Sequence, residues 1–183
     1  VKSHRVNGAL GFRAKTGRAI AVVLTADRGR PSFVWRGEVA LSDDPETGPY
    51  HHVMELPWSE AQVAVREFVA PIERLALRAV QDVIAHSPVP IRAIGVAGSP
   101  PRNIDRLGNP HVRAHAAEGI LFRRVLEQAA ETLGLPWVGL SDRELDTSIV
   151  QPFARVAGPP WRADERMAAT AAWAALTQKL LDQ

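Results

Sequence analysis

The sequence predicts an α/β domain built on one mixed five-stranded sheet, an antiparallel meander followed by strand–helix crossovers, with helices on both faces. Three observations predict it. The first third of the chain carries three strand-like apolar runs separated by turn residues. The remainder alternates helical stripes with short apolar runs. The chain has 183 residues, and residues 1–183 are read as a single domain of ordinary size.

The first run, Ala9–Ala14, is closed by the turn signal Thr16-Gly17. The second, Ala19–Thr25, is continuously apolar, as expected of a strand covered on both faces. Asp27-Arg28-Gly29 marks the next turn. In the third run Phe33, Trp35, Gly37, Val39 and Leu41 alternate with Val34, Arg36, Glu38 and Ala40, a period of two. Ser42–Pro57 reads as a loop from its Asp, Pro and Gly content. Ser59 with Gln62 three residues on is a capping box, and the apolar stripe from Val65 to Val83 keeps helical phase across Pro71. One helix kinked at Pro71 is expected.

Ile91–Ala97 is a compact strand, followed by a Gly/Pro-rich loop from Gly98 to Pro110. Asn109-Pro110 has the form of a helix cap and first helical residue, and Gly134 that of the stop. Pro136–Leu140 is a short strand, and Ser141 with Glu144 is read as a capping box opening a brief helix. Val150–Pro160 reads as irregular. Arg162–Leu181 is an alanine-rich helix, and its stripe of Met167, Ala168, Ala171, Ala172, Ala175 and Leu176 is small enough to approach a sheet closely.

Composition narrows the function classes. Hydrophobic residues make up 46% and charged residues 23%, which supplies a core and argues against disorder. There is no cysteine, which removes disulfides, thiolate metal sites and a cysteine nucleophile. No apolar run approaches the about 18 residues that cross a membrane, so no membrane partner is expected. Val1–Asn7 is not an apolar leader, so a cytoplasmic location is expected. Net charge is +2, yet it is unevenly distributed. Residues 1–26 carry five basic side chains and no acid, residues 92–124 six arginines against two acids, and residues 38–67 seven acids against one arginine. If the two basic segments meet, they form an anion-facing side. The alternative is a solvated surface of mixed charge.

The order of elements, with the stretch Leu10-Gly11-Phe12-Arg13-Ala14-Lys15-Thr16-Gly17-Arg18-Ala19-Ile20-Ala21-Val22-Val23, resembles the ribonuclease H-like superfamily and its RuvC-type junction resolvases. Asp164 and the alanine-rich helix that follows resemble their final acidic residue and helix. The resemblance implies several carboxylates converging on two divalent ions. Here Arg13 stands at the first-strand aspartate position, and the fourth strand ends in Gly98-Ser99 without an acid. A guanidinium repels a cation. The expectation is therefore a catalytically degenerate, cofactor-free domain that binds nucleic-acid phosphates or a protein partner through its basic side, and it leans away from an enzyme.

Two candidate sites stand out. His111, His115 and Glu118 share one helical face at i, i+4 and i+7, a spacing able to present two imidazoles and a carboxylate to a divalent metal. Tyr50-His51-His52 adds a ligand only if that loop folds over. With a metal, these residues and Asp164 would be the candidates for a hydrolase. Without one, they are polar groups that seat the preceding loop, and the sequence favours that reading. The second site needs no metal: Arg13, Arg102, Arg106, His111 and Arg113 gather at the start of a helix, where unpaired N–H groups favour a phosphate. An ordinary exposed basic loop is the alternative. Gly8, Gly11 and Gly17 match no phosphate-loop spacing, Ser99 lacks the nucleophile-elbow pattern, and most of the five tryptophans are expected in the core. A third functional reading is a homodimer or adaptor joined through the last helix or the third strand.

Overall fold

The computed structural model describes residues 6–44, 48–100, 103–143 and 145–181, with side chains to residue 178 in the last helix. β1 (Gly8–Lys15), β2 (Arg18–Asp27) and β3 (Arg30–Ala40) form the meander. Then come α1 (Pro49–His52), α2 (Trp58–Ala64), α3 (Arg66–His86), β4 (Ile91–Gly98), α4 (Pro110–Thr132), β5 (Trp137–Ser141), α5 (Ala154–Ala157) and α6 (Ala163–Leu181). The sheet order is β3-β2-β1-β4-β5. β1 pairs antiparallel with β2 and parallel with β4, and β4 pairs parallel with β5. The turn glycines Gly17 and Gly29 take φ +69° and +77°, left-handed values that cost glycine nothing.

The pleat of β1 sorts the two faces. Leu10, Phe12 and Ala14 enter the larger core with Ile72, Ala76 and Val80 of α3 and Phe122, Val125 and Leu126 of α4. Gly11 lies under Ala168 and Ala172 of α6, so the intervening residues of β1, Arg13 among them, belong to the α6 side. The alanine stripe of α6 is consumed by this packing: Ala168, Ala169, Ala171 and Ala172 are fully buried. It is therefore a core element and not a free surface for a second copy.

Several boundaries move. The helix break falls at Val65, between α2 and α3, and Pro71 is carried inside α3. Pro57, not Ser59, stands at the cap of α2, whose cap has no side-chain hydrogen bond. A capping box needs its hydroxyl one residue before the helix, and here the helix already runs from Trp58. Ser141 ends β5, Glu144 lies outside the described residues, and Val150–Pro160 contains helical turns at Ser148–Phe153 and in α5. The cap of α4 is as expected: Asn109 accepts from the Val112 N–H at 3.0 Å, and Pro110 is the first helical residue.

Candidate metal centre

The first turns of α4 put His111 and His115 one above the other, with their Nε2 atoms 3.1 Å apart. The segment at Tyr50–His52 does fold over this face. Its short helix brings the His51 ring to 5.2 Å from the His111 ring and 4.4 Å from the His115 ring, centroid to centroid. One ligating atom from each of His51, His111 and His115 lies within 4.8 Å of the others. Tetrahedral coordination at Zn–N distances near 2.0–2.1 Å separates ligand nitrogens by roughly 3.3 Å, so modest side-chain adjustment closes the set. Among the described residues this is the one group of three or more metal-ligating side chains so arranged. His115 is held below its ordinary pKa by desolvation and by His51 and His111, against the pull of Glu118.

Glu118 has a different place from the one its spacing suggested. It is fully buried and belongs behind the cluster rather than in it. Its Oε2 is 2.8 Å from His51 Nδ1, its Oε1 accepts from the His51 backbone N–H at 3.1 Å, and Thr16 Oγ1 donates to Oε2 at 3.3 Å. The physical reason is that a carboxylate a full two turns into the helix meets the sheet end and the underside of α1 instead of solvent. Gly48 makes this seat, because a Cβ there would collide with the Glu118 carboxyl group. The structure thus groups His111 and His115 with His51 rather than with Glu118, and the adjacent histidines at 51 and 52 were the signal. His52 points elsewhere, exposed and 3.8 Å from Asp44.

A wall of aromatic and charged groups adjoins the start of α4. Tyr50 stacks near Trp58 at 5.5 Å, Arg113 lies over the Trp58 ring at 5.6 Å, and Trp58 Nε1 donates to Asp105 at 2.6 Å. Burial first and Glu118 second raise the Tyr50 pKa. Arg113 also donates to the Leu107 carbonyl, which fastens the loop before α4, and Arg106 is exposed on that loop.

Arg13 has separate partners on the α6 side of the sheet. Its Nη2 is 2.9 Å from Asp142 and its Nε 3.7 Å from Asp164, while Lys15 Nζ is 2.6 Å from the second Asp164 oxygen. Arg13 therefore does not join His111 and Arg113 in one anion site, and Arg102 lies outside the described residues. Further along the same face Arg18 pairs with Glu38, and Arg36 with Glu165 and the carbonyls of Pro159 and Pro160. The described basic side chains of the N-terminal segment, Arg13, Lys15 and Arg18, are thus each paired with an acid distant in sequence. The two-ion arrangement implied by the resemblance does not fit this sheet end: a guanidinium and an ammonium occupy the space between its described acids, and neither can ligate a cation. Asp164 is here the ion-pair partner of Arg13 and Lys15. Arg13→Ala removes the partner of a largely buried Asp142. We expect a loss of about 2–3 kcal/mol, read as a fall in melting temperature of roughly 4–10 °C, with Lys15 limiting the damage at Asp164.

No family model matches the chain, and no curated protein matches it. Among solved structures it is similar to Thermus thermophilus RuvC in complex with Holliday junction substrate, over 98% of this chain and 95% of that chain, at 14% identity and a TM-score of 0.49. A second Thermus thermophilus RuvC structure is similar over 91% and 90% of the two chains, at 12% identity and a TM-score of 0.47. A ROK hexokinase from Thermus thermophilus is similar over 74% of this chain and 35% of that one, at 20% identity and a TM-score of 0.32. The fold is the α/β layout expected from the sequence, a mixed five-stranded sheet with helices on both faces. The expectation that this domain leans away from catalysis is corrected here: the solved structures to which it is similar include a RuvC in complex with Holliday junction substrate. The expectation rested on Arg13 and on the acid-free end of the fourth strand, and it weighed His111 and His115 without His51 beside them. No helix among the described residues is long and apolar enough to cross a membrane.

Proposed function

We propose that this chain is a metal-dependent hydrolase of phosphodiesters in nucleic acid, with its ion held by His51, His111 and His115. The observation that carries the reading is the convergence of three imidazoles from two separate segments, one of them backed by a buried carboxylate. Three protein ligands with a fourth position open is the usual plan of a catalytic zinc site, and imidazole also suits copper, iron and nickel. A divalent ion there would supply an acidified water and a positive charge beside the developing oxyanion.

The remaining roles fall to the chain itself. Neutral imidazoles leave the ion its full charge, which favours an anionic substrate. The amino-terminal end of α4, with no acid in its first turn, adds partial positive charge at the same place. Arg106 and Arg113 extend the positive surface along the loop that leads into α4. Hydrolysis adds water across one P–O ester bond: a P–O bond forms to the water oxygen, the ester P–O bond breaks, and the leaving oxygen takes a proton.

The test is hydrolysis of labelled single-stranded RNA, single-stranded DNA and branched DNA by the full chain. The protein is assayed after stripping with a chelator and after reloading with one equivalent of zinc or manganese. Cleavage that disappears on stripping and returns on reloading is the expected result, with substrate binding weakening steeply as salt rises. Absence of cleavage under every metal, for all three substrates, would defeat the proposal.

A further inference from the structure

We propose that Glu118 is a positioning residue of the metal centre: buried behind His51, it fixes the tautomer and orientation that turn His51 Nε2 toward His111 and His115. The inference rests on the three-histidine reading above and goes beyond it, because it assigns the site's order to the protein before any ion arrives.

A carboxylate only accepts hydrogen bonds, so at 2.8 Å from Glu118 the His51 Nδ1 carries a proton, and Nε2 is the ring nitrogen left to face an ion. The second oxygen of Glu118 accepts from the His51 backbone N–H, which fixes the position of the residue as well as the ring. Thr16, in the turn between β1 and β2, donates to the first oxygen and ties the carboxylate to the sheet. Glu118 is fully buried, so water does not compete for these bonds. Histidine ligands commonly give their other ring N–H to such a carboxylate, and losing that partner typically costs roughly 10–100-fold in metal affinity.

Glu118→Gln keeps the shape and reverses the polarity at one point. The backbone N–H of His51 is shared between the Gly48 carbonyl and Oε1, and an NH₂ turned toward it would set donor against donor, so the amide oxygen stays there. The amide NH₂ then faces Nδ1, which must become an acceptor, and the proton moves to Nε2, the atom needed for the ion. The experiment uses the metal-free full chain for long-range ¹H–¹⁵N NMR of the histidine rings, and zinc titration against a chromophoric chelator for affinity. In the wild type, His51 is expected with Nδ1 protonated. In Glu118→Gln it is expected in the opposite tautomer, with zinc affinity reduced at least tenfold and the metal-free melting transition still cooperative. Thr16→Ala, which leaves both His51 contacts intact, should change affinity less than about threefold. An unchanged tautomer and unchanged affinity in Glu118→Gln would overturn the positioning role while leaving the metal centre standing. A wild type that takes up no metal would overturn the hydrolase reading, and Glu118's role toward an ion with it.

Discussion

A His51→Ala substitution is expected to abolish stoichiometric zinc uptake and metal-dependent phosphodiester cleavage as completely as His115→Ala does, although the two histidines lie in separate segments of the chain. Each removes one of three protein ligands, so each should exceed the roughly 100-fold cost of losing an outer-shell partner. The neighbouring His52 is the control. It is exposed and faces Asp44, so His52→Ala should leave zinc affinity and cleavage within about twofold of wild type. The two ligand variants also separate ion binding from folding. His51→Ala strips the buried Glu118 of a ring donor and carries a stability cost of about 1–3 kcal/mol. His115 is exposed, and its loss carries no comparable cost. Equal loss of zinc in both, with the melting temperature lowered only in the first, is the expected pattern. Retention of full zinc affinity by either variant would show that the three rings are not a ligand set.

The second large effect is on the fold. Gly95 of β4 lies directly beneath the backbone of Ala171, and Gly11 of β1 beneath that of Ala168 and Ala172. A Cβ at either position would fall inside the α6 backbone rather than against a side chain that can turn away. The helix would have to lift off the sheet, opening the contacts of Ala168, Ala169, Ala171 and Ala172 together. Gly95→Ala is therefore expected to cost about 3 kcal/mol or more, at the upper end of overpacking, and to lower the melting temperature by roughly 6–12 °C. Thermal unfolding followed by circular dichroism measures it. A fall of less than about 2 °C would show that α6 does not sit as closely on the sheet as described. Because α6 lies across the sheet from the histidines, a folded Gly95→Ala protein should retain its zinc site.

The fold was legible because its signals are local. The alternation from Phe33 to Leu41, the Asn109-Pro110 cap and the alanine stripe of the last helix each follow from backbone geometry within a few residues. The stripe even announced the close helix–sheet contact that Gly11 and Gly95 complete. The break at Val65 was missed because the apolar stripe only begins there, while Pro71 is the louder signal and is accommodated inside α3.

The site was legible only in part, since its decisive contacts are not local. The i, i+4 pair at His111 and His115 is visible in any helical reading, but helical spacing alone nominated Glu118 as third ligand. Only the fold brings Tyr50–His52 across that face and shows Glu118 bonded to His51 instead. Arg13 is the opposite case. Its place at the end of β1 was foreseen, but its partners were not, because Asp142 and Asp164 reach it from β5's exit and the start of α6. A linear tally of charge made residues 1–26 a basic surface. In three dimensions Arg13, Lys15 and Arg18 are each matched with an acid. In the proposed function, positive potential for a substrate is supplied on the other side of the sheet, where the start of α4, Arg106, Arg113 and a bound ion would coincide.

The most direct measurement is zinc K-edge X-ray absorption on the full chain loaded with one equivalent of zinc. Three nitrogen scatterers at about 2.0 Å with the multiple-scattering pattern of imidazole, plus one light-atom ligand, is the expected spectrum. An environment of oxygen alone, or a protein that retains no zinc after desalting, would contradict a centre built from His51, His111 and His115.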